Sequence, residues 1–280
     1  MIDGESEGVI EHELNRGFAW EDRDGPFRLI TQEQADQYNR DGFLVIQDAF
    51  DAETIRLLTE EIDPVEKEFE DMLKNSFDGK LFIARASEIT FTTHLVTRSE
   101  RAREFTQLPF FRDLCFDLLG EDVRLYWDQA VYKKPGNPEI FPWHQDNGYT
   151  YVEPQQYLTC WVALTDADEE NGCPLVVPGI HRHGTLAHGL TDLGYECIEA
   201  DPEETRVAPV RAGGVVVFSS LTPHKTGPNL TADRIRKSYI VQYAPDGAEV
   251  VKVEDGQEDR TPCDEPSRQY PILVGGQEPV

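Results

Sequence analysis

From about residue 122 onward the chain breaks into short apolar runs cut by Gly, Pro and Asp: "VRLYWDQAVYKK", "QYLTCWVALTDA", "CPLVVPG", "TRVAPV", "GGVVVFSS" and "RKSYIVQYAP". Runs of this length, rich in β-branched and aromatic residues, read as strands. No regular helical crossovers separate them. Strands without such crossovers pair antiparallel, in a sandwich or barrel.

The first 120 residues have a different rhythm. "TQEQADQYNRDG" places Thr31 as N-cap, Gln34 as its capping-box partner and Gly42 as the stop of a short helix. "GFLVIQDAF" then reads as a strand, and "DAETIRLLTEEIDPVEKEFEDMLK" as a long helix capped by Asp51 and disturbed or broken near Pro64. A third helix is expected at about 107–119, ending at Gly120. Helices followed by strands predict a mainly β fold with a helical layer on one side. Residues 1–28 form a polar arm with an apolar anchor at Phe18 to Trp20, and residues 251–280 read as an irregular surface segment. The stretch 80–95, "KLFIARASEITFTTHL", suits either a lid or a packing segment.

Charge narrows the partners. With 53 acidic against 26 basic residues the formal net charge is −27, so nucleic acid and anionic membranes are repelled. Five cysteines, odd in number and without a C-x-x-C pair, argue against a disulfide framework. The start is acidic and lacks an apolar leader core, and no apolar run approaches the roughly 20 residues of a membrane span. A cytoplasmic protein without membrane insertion is expected.

"FPWHQDNGYT" holds the chemistry. In an extended chain residues two apart share a side, so His144 and Asp146 offer one imidazole and one carboxylate to a common ion. A facial-triad Fe(II) site needs one further histidine and keeps positions open for substrate and oxygen. Seven histidines are available. His12 lies in the arm and His94 between helical segments, whereas His224 follows "GGVVVFSS", where a strand end can present a side chain to an interior cavity. His224 is the best partner. His181, His183 and His188 in "GIHRHGTLAHG" form a competing H-x-H-x4-H pattern that suits zinc; a loop rim with exposed imidazoles is the plainer reading, with His181 kept as a pocket-lining candidate.

"PWHQD", "LTCWVALTDADEENGCPLVVPGIHRHG" and "TPHKTGPNLTADRIRKSYIVQYAP", in that order, resemble the phytanoyl-CoA dioxygenase family of Fe(II)- and 2-oxoglutarate-dependent oxygenases over roughly residues 38–245. The resemblance implies a double-stranded β-helix, the cupin-like jelly roll, over residues 29–250, with iron on His144, Asp146 and His224. It further implies an arginine beyond the distal histidine that pairs with the far carboxylate of 2-oxoglutarate. Arg234 and Arg236 both qualify, on one strand face; alignment of "RIRKSYIVQY" favours Arg236. Gln129 and Lys133 are family-like positions for holding 2-oxoglutarate, and Trp161 for packing over its pocket. Tyr149 and Tyr151 follow the metal motif closely enough to line the substrate entrance.

The activity implied is hydroxylation of an unactivated C–H bond in a small organic molecule, with 2-oxoglutarate and O2 converted to succinate and CO2. Halogenating relatives carry a small residue in place of the carboxylate; Asp146 therefore favours hydroxylation. Two other readings compete: a jelly-roll binding module without turnover, and a zinc hydrolase built on the three clustered histidines.

Overall fold

The computed structural model describes residues 9–199 and 201–279; the first eight residues of the expected arm lie outside them. The opening helix, Gln32–Asp41, is bounded as its caps predict. The Thr31 side chain accepts the Gln34 N–H, the Gln34 side chain accepts the Thr31 N–H, and Gly42 closes the helix at φ 80°. Glycine is required there twice over, because a Cβ would also meet the His181 ring and the Thr222 hydroxyl at 2.5 Å. Past this stop the chain enters the main sheet as Phe43–Ile46.

The next helix corrects one expectation. Ala52–Ser76 runs 25 residues straight through Pro64. Pro64 sits on the solvent face, so the carbonyl deprived of a partner can be hydrated, while Ile55, Leu58, Ile62 and Leu73 bury the opposite face. The expected third helix is Pro109–Leu118, and a short additional helix, Glu100–Phe105, precedes it.

Six strands make up most of the main antiparallel sheet, in the order 43–46, 215–219, 158–163, 236–245, 123–133 and 89–93, and a short hairpin at 80–85 extends its edge. Alternation sorts their side chains. Leu158, Cys160, Val162, Val215, Val217 and Val241 pack against the helices in one core. Their neighbours Trp161, Ala163, Val216 and Phe218 point to the other side. There a smaller sheet, ordered 206–207, 174–176, 224–226 and 141–144, faces the main one across a cavity of about 600 Å³ that both sheets line. The chain is a mainly β protein with flanking helices, folded as a double-stranded β-helix.

The ends differ from expectation. Residues Glu249–Glu254 and Gln257–Pro262 form a hairpin against Val152–Glu153, and Pro271–Leu273 pairs with the start of Val123–Lys133. This tail is structured, not irregular. The arm, too, is pinned: Trp20 packs on Tyr38 and His181, and Glu11 bridges to Leu186. No described helix is long and apolar enough to cross a membrane.

Candidate metal centre

His144 ends the strand Phe141–His144 and His224 begins the neighbouring strand His224–Thr226; the two are direct register partners in the small sheet. Their rings lie 4.2 Å apart between centroids. Asp146 follows in a tight turn, so the strand end and the turn deliver three donor groups to one point. The ligand atoms of His144, Asp146 and His224 all lie within 4.8 Å of one another, and no other such cluster of three occurs among the described residues.

Protonation suits a cation. His144 Nδ1 lies 2.8 Å from the Pro142 carbonyl and His224 Nδ1 3.0 Å from the Thr222 carbonyl. A carbonyl can only accept, so each Nδ1 carries the proton and each Nε2 keeps its lone pair for the shared point. Burial pushes His144 down to about 3 and His224 to about 4, leaving both imidazoles neutral at pH 7. Burial also raises the Asp146 carboxyl, which marks a carboxylate short of positive charge. The donor set, two neutral imidazoles and one carboxylate, fits Fe(II).

Further polar residues hold Asp146 and its turn in place. The Thr159 hydroxyl donates to Asp146 Oδ2 at 2.6 Å and accepts from the Gln242 amide at 3.1 Å. Thr159 is a polar residue on the cavity side of the otherwise apolar "LTCWVA", which was its only sequence signal. Gln145, fully buried, donates to the Gly184 and Leu221 carbonyls and accepts the Leu186 N–H. The Gln145 N–H donates to His188 Nε2 at 2.9 Å, and His188 packs so closely on Gly148 that a Cβ there would reach its ring at 2.0 Å. The metal-motif turn is thus bolted to the 184–188 segment.

A second charge feature occupies the same cavity. Arg236 is fully buried and lines it; its Nη1 donates to the Ser238 hydroxyl at 3.1 Å, while Nε and Nη2 have no partner. Its guanidinium stands 5.2 Å over the Trp161 ring, and burial lowers it to about 10. Lys133 is its register partner and also buried. Its ammonium donates to the Gly227 carbonyl at 2.6 Å, so it holds the end of the His224 strand and does not line the cavity. Burial, then Arg236, pushes Lys133 well below the usual lysine range. Arg234 is different: it points outward and pairs with Asp168 at 2.6 Å and Glu170 at 2.9 Å.

Gln129, Trp161 and Tyr149 line the cavity. The Gln129 amide oxygen accepts the Trp127 indole N–H, and the Tyr149 hydroxyl accepts the Tyr195 N–H. Tyr151 and His181 do not line it, because the arm covers both. The Tyr151 hydroxyl donates to the Leu14 carbonyl, and His181 Nε2 lies 3.2 Å from the Asn39 carbonyl beneath Trp20. His183 is exposed and His188 braces the turn, so the three clustered histidines share no metal point.

The family model for phytanoyl-CoA dioxygenase matches residues 38–238. Methylphosphonate hydroxylase of Gimesia maris is 28% identical over 222 residues, covering 77% of this chain and 81% of the relative. The epimerase SnoN, solved with Fe3+, alpha ketoglutarate and nogalamycin RO, superposes with a TM-score of 0.66 at 20% identity, over 86% of this chain and 98% of that one. EvdO2 from Micromonospora carbonacea, complexed with 2-oxoglutarate, gives a TM-score of 0.62 at 23% identity, over 86% and 97%. A match across most of the chain, on a jelly roll whose cavity joins a His-Asp-His cluster to a buried arginine, makes this protein a member of the phytanoyl-CoA dioxygenase family of Fe(II)- and 2-oxoglutarate-dependent oxygenases.

Proposed function

We propose that His144, Asp146 and His224 hold Fe(II), that Arg236 receives the far carboxylate of 2-oxoglutarate, and that the chain hydroxylates a C–H bond of a small organic molecule. One observation carries the reading. The Arg236 guanidinium is buried in the metal cavity with two N–H-bearing nitrogens unpartnered, and no carboxylate among the described residues offsets its charge. A buried cation so placed needs an anion, and the planar fork of arginine suits a carboxylate.

Fe(II) with bound 2-oxoglutarate supplies an oxidant for unactivated C–H bonds, releasing succinate and CO2. The protein's own part is binding and placement. Pro142 and Thr222 carbonyls fix the imidazole tautomers, and Thr159 holds the Asp146 carboxylate. Trp161 backs Arg236, Gln129 faces the same space, and Lys133 fixes the strand end that carries Thr226 into the cavity. Asp146 leaves no gap in the ligand set for a halide, which supports hydroxylation. Five cysteines free of disulfides support a reducing, cytoplasmic setting, and the charge of −27 weighs against nucleic acid.

Protein purified without oxygen is expected to bind one iron and to convert 2-oxoglutarate to succinate when oxygen is admitted. Tightly held zinc with hydrolysis, or neither metal nor turnover, would replace this reading with one of its rivals. Thr159→Val removes the hydroxyl on Asp146 with little change of shape. Iron affinity is expected to fall roughly 10–100-fold, checked by metal titration.

A further inference from the structure

We propose that the substrate is a neutral, ring-bearing apolar molecule, selected against anions by an aromatic wall that runs from the metal point to the mouth; the inference rests on the function proposed above. The wall has two arms. On one, the His144 ring meets Phe141 at 4.9 Å and Phe141 meets Phe91 at 5.6 Å. On the other, His144 meets Tyr149 at 5.3 Å, Tyr149 meets Tyr195 at 5.2 Å, and Tyr195 meets Phe82 at 6.2 Å. Most of these pairs meet edge to face, so the wall offers ring edges and faces in turn, against which another ring can pack in T-shaped or offset contact.

At the mouth the chain leaves apolar surface uncovered. Phe82 is 54% exposed and Leu81 40% exposed, on a hairpin whose Phe82 has a φ of 50°. That hairpin is tied to the one at 189–196 by the Arg85 guanidinium, which donates to the Asp192 carbonyl at 2.7 Å. A bulky aromatic in a left-handed backbone position, half in solvent, costs folding energy. A ligand that covers the ring removes its apolar surface from water, a gain available only on binding.

The charge inventory sets the other half of the specificity. Among the described residues Arg236 is the only lysine or arginine lining the cavity, and on the function proposed above the cosubstrate engages it. Arg85 spends its donors on backbone carbonyls. An anionic substrate would therefore bring an unpaired charge into an apolar space, inside a protein of net charge −27. The cavity, about 600 Å³, lies within the roughly 300–1,000 Å³ that encloses drug-sized ligands. Part of that volume goes to the metal and the cosubstrate, and the remainder still exceeds what a one-carbon phosphonate would fill.

A matched pair of probes tests this: 2-(hydroxymethyl)anthraquinone, which is neutral, and anthraquinone-2-sulfonate, which keeps the rings and adds a charge. Binding is measured by anaerobic calorimetry on the protein loaded with Fe(II) and saturating 2-oxoglutarate, so that Arg236 is engaged, and 2-oxoglutarate binding is measured separately beforehand. The neutral probe is expected to bind at least about tenfold more tightly than the sulfonate, with no saturable binding of methylphosphonate or octanoyl-CoA. Phe82→Asp should weaken the neutral probe by about tenfold and leave 2-oxoglutarate affinity within about twofold. Equal or tighter binding of the sulfonate, saturable binding of either other anion, or no binding of the neutral probe overturns the inference. An unaltered neutral-probe affinity in Phe82→Asp removes the mouth from it. Failure of 2-oxoglutarate to bind the Fe(II) protein would instead strike the proposed function, and with it the engaged Arg236 on which selection against anions rests.

Discussion

Purified anaerobically, His224→Ala is expected to retain almost no iron and to form no succinate above background, whereas His183→Ala retains both. The two imidazoles differ in everything but type. His224 is buried, fixed as the Nδ1–H tautomer by the Thr222 carbonyl, and opposite His144 across two strands. His183 is exposed. Outer-shell partners alone are worth roughly 10–100-fold in metal affinity, so removal of a direct ligand from a three-ligand site should cost more than that. The fold should survive, because an apo imidazole pushed down by burial contributes little to holding the strands together. Metal analysis and succinate yield check both variants. Iron retained by His224→Ala but lost by His183→Ala would reverse the assignment.

The second large effect concerns Arg236. In Arg236→Met the affinity for 2-oxoglutarate is expected to drop by about 3–5 kcal/mol, the cost of breaking one side of a buried charged pair, or roughly two to three and a half orders of magnitude. Arg234→Ala should change it little, since that side chain is committed to Asp168 and Glu170 at the surface. Stability gives a separate reading. Without cosubstrate the wild-type guanidinium is buried with Nε and Nη2 unpartnered, so an apolar replacement should leave the ligand-free protein no less stable. Added 2-oxoglutarate should then raise the melting temperature of the wild type and not of Arg236→Met. A variant that still gains stability from 2-oxoglutarate would place the carboxylate elsewhere.

How much of this was readable from residues alone depends on whether the cause was local. Thr31, Gln34 and Gly42 set a helix by contacts within a few residues, and the strand runs set their own faces by alternation. His144 and Asp146 share a motif, and His224 a strand end, so their convergence needed only the order of strands. Other placements hinge on parts distant in sequence. Tyr151 and His181 are capped by Leu14 and Trp20, more than a hundred residues away. Lys133 shares a strand face with Gln129, yet its long stem carries the ammonium to the Gly227 carbonyl. The hairpin at 249–262 gave little warning because every residue of Gln257–Pro262 is exposed and no apolar alternation marks it.

The metal donors stand on the small sheet and its turn, whereas Arg236, Trp161 and Thr159 belong to the large one. On the proposed assignment, 2-oxoglutarate anchored at both ends would add a cross-brace to two layers already joined by the Thr159–Asp146 and Lys133–Gly227 hydrogen bonds. Each turnover shortens that brace by one carbon, since succinate no longer spans the same length. The layers are then held less firmly at the moment product must leave, and firmly again once the next cosubstrate is seated. Hydrogen exchange along Phe141–His144 and His224–Thr226 should accordingly be slower with 2-oxoglutarate than with succinate.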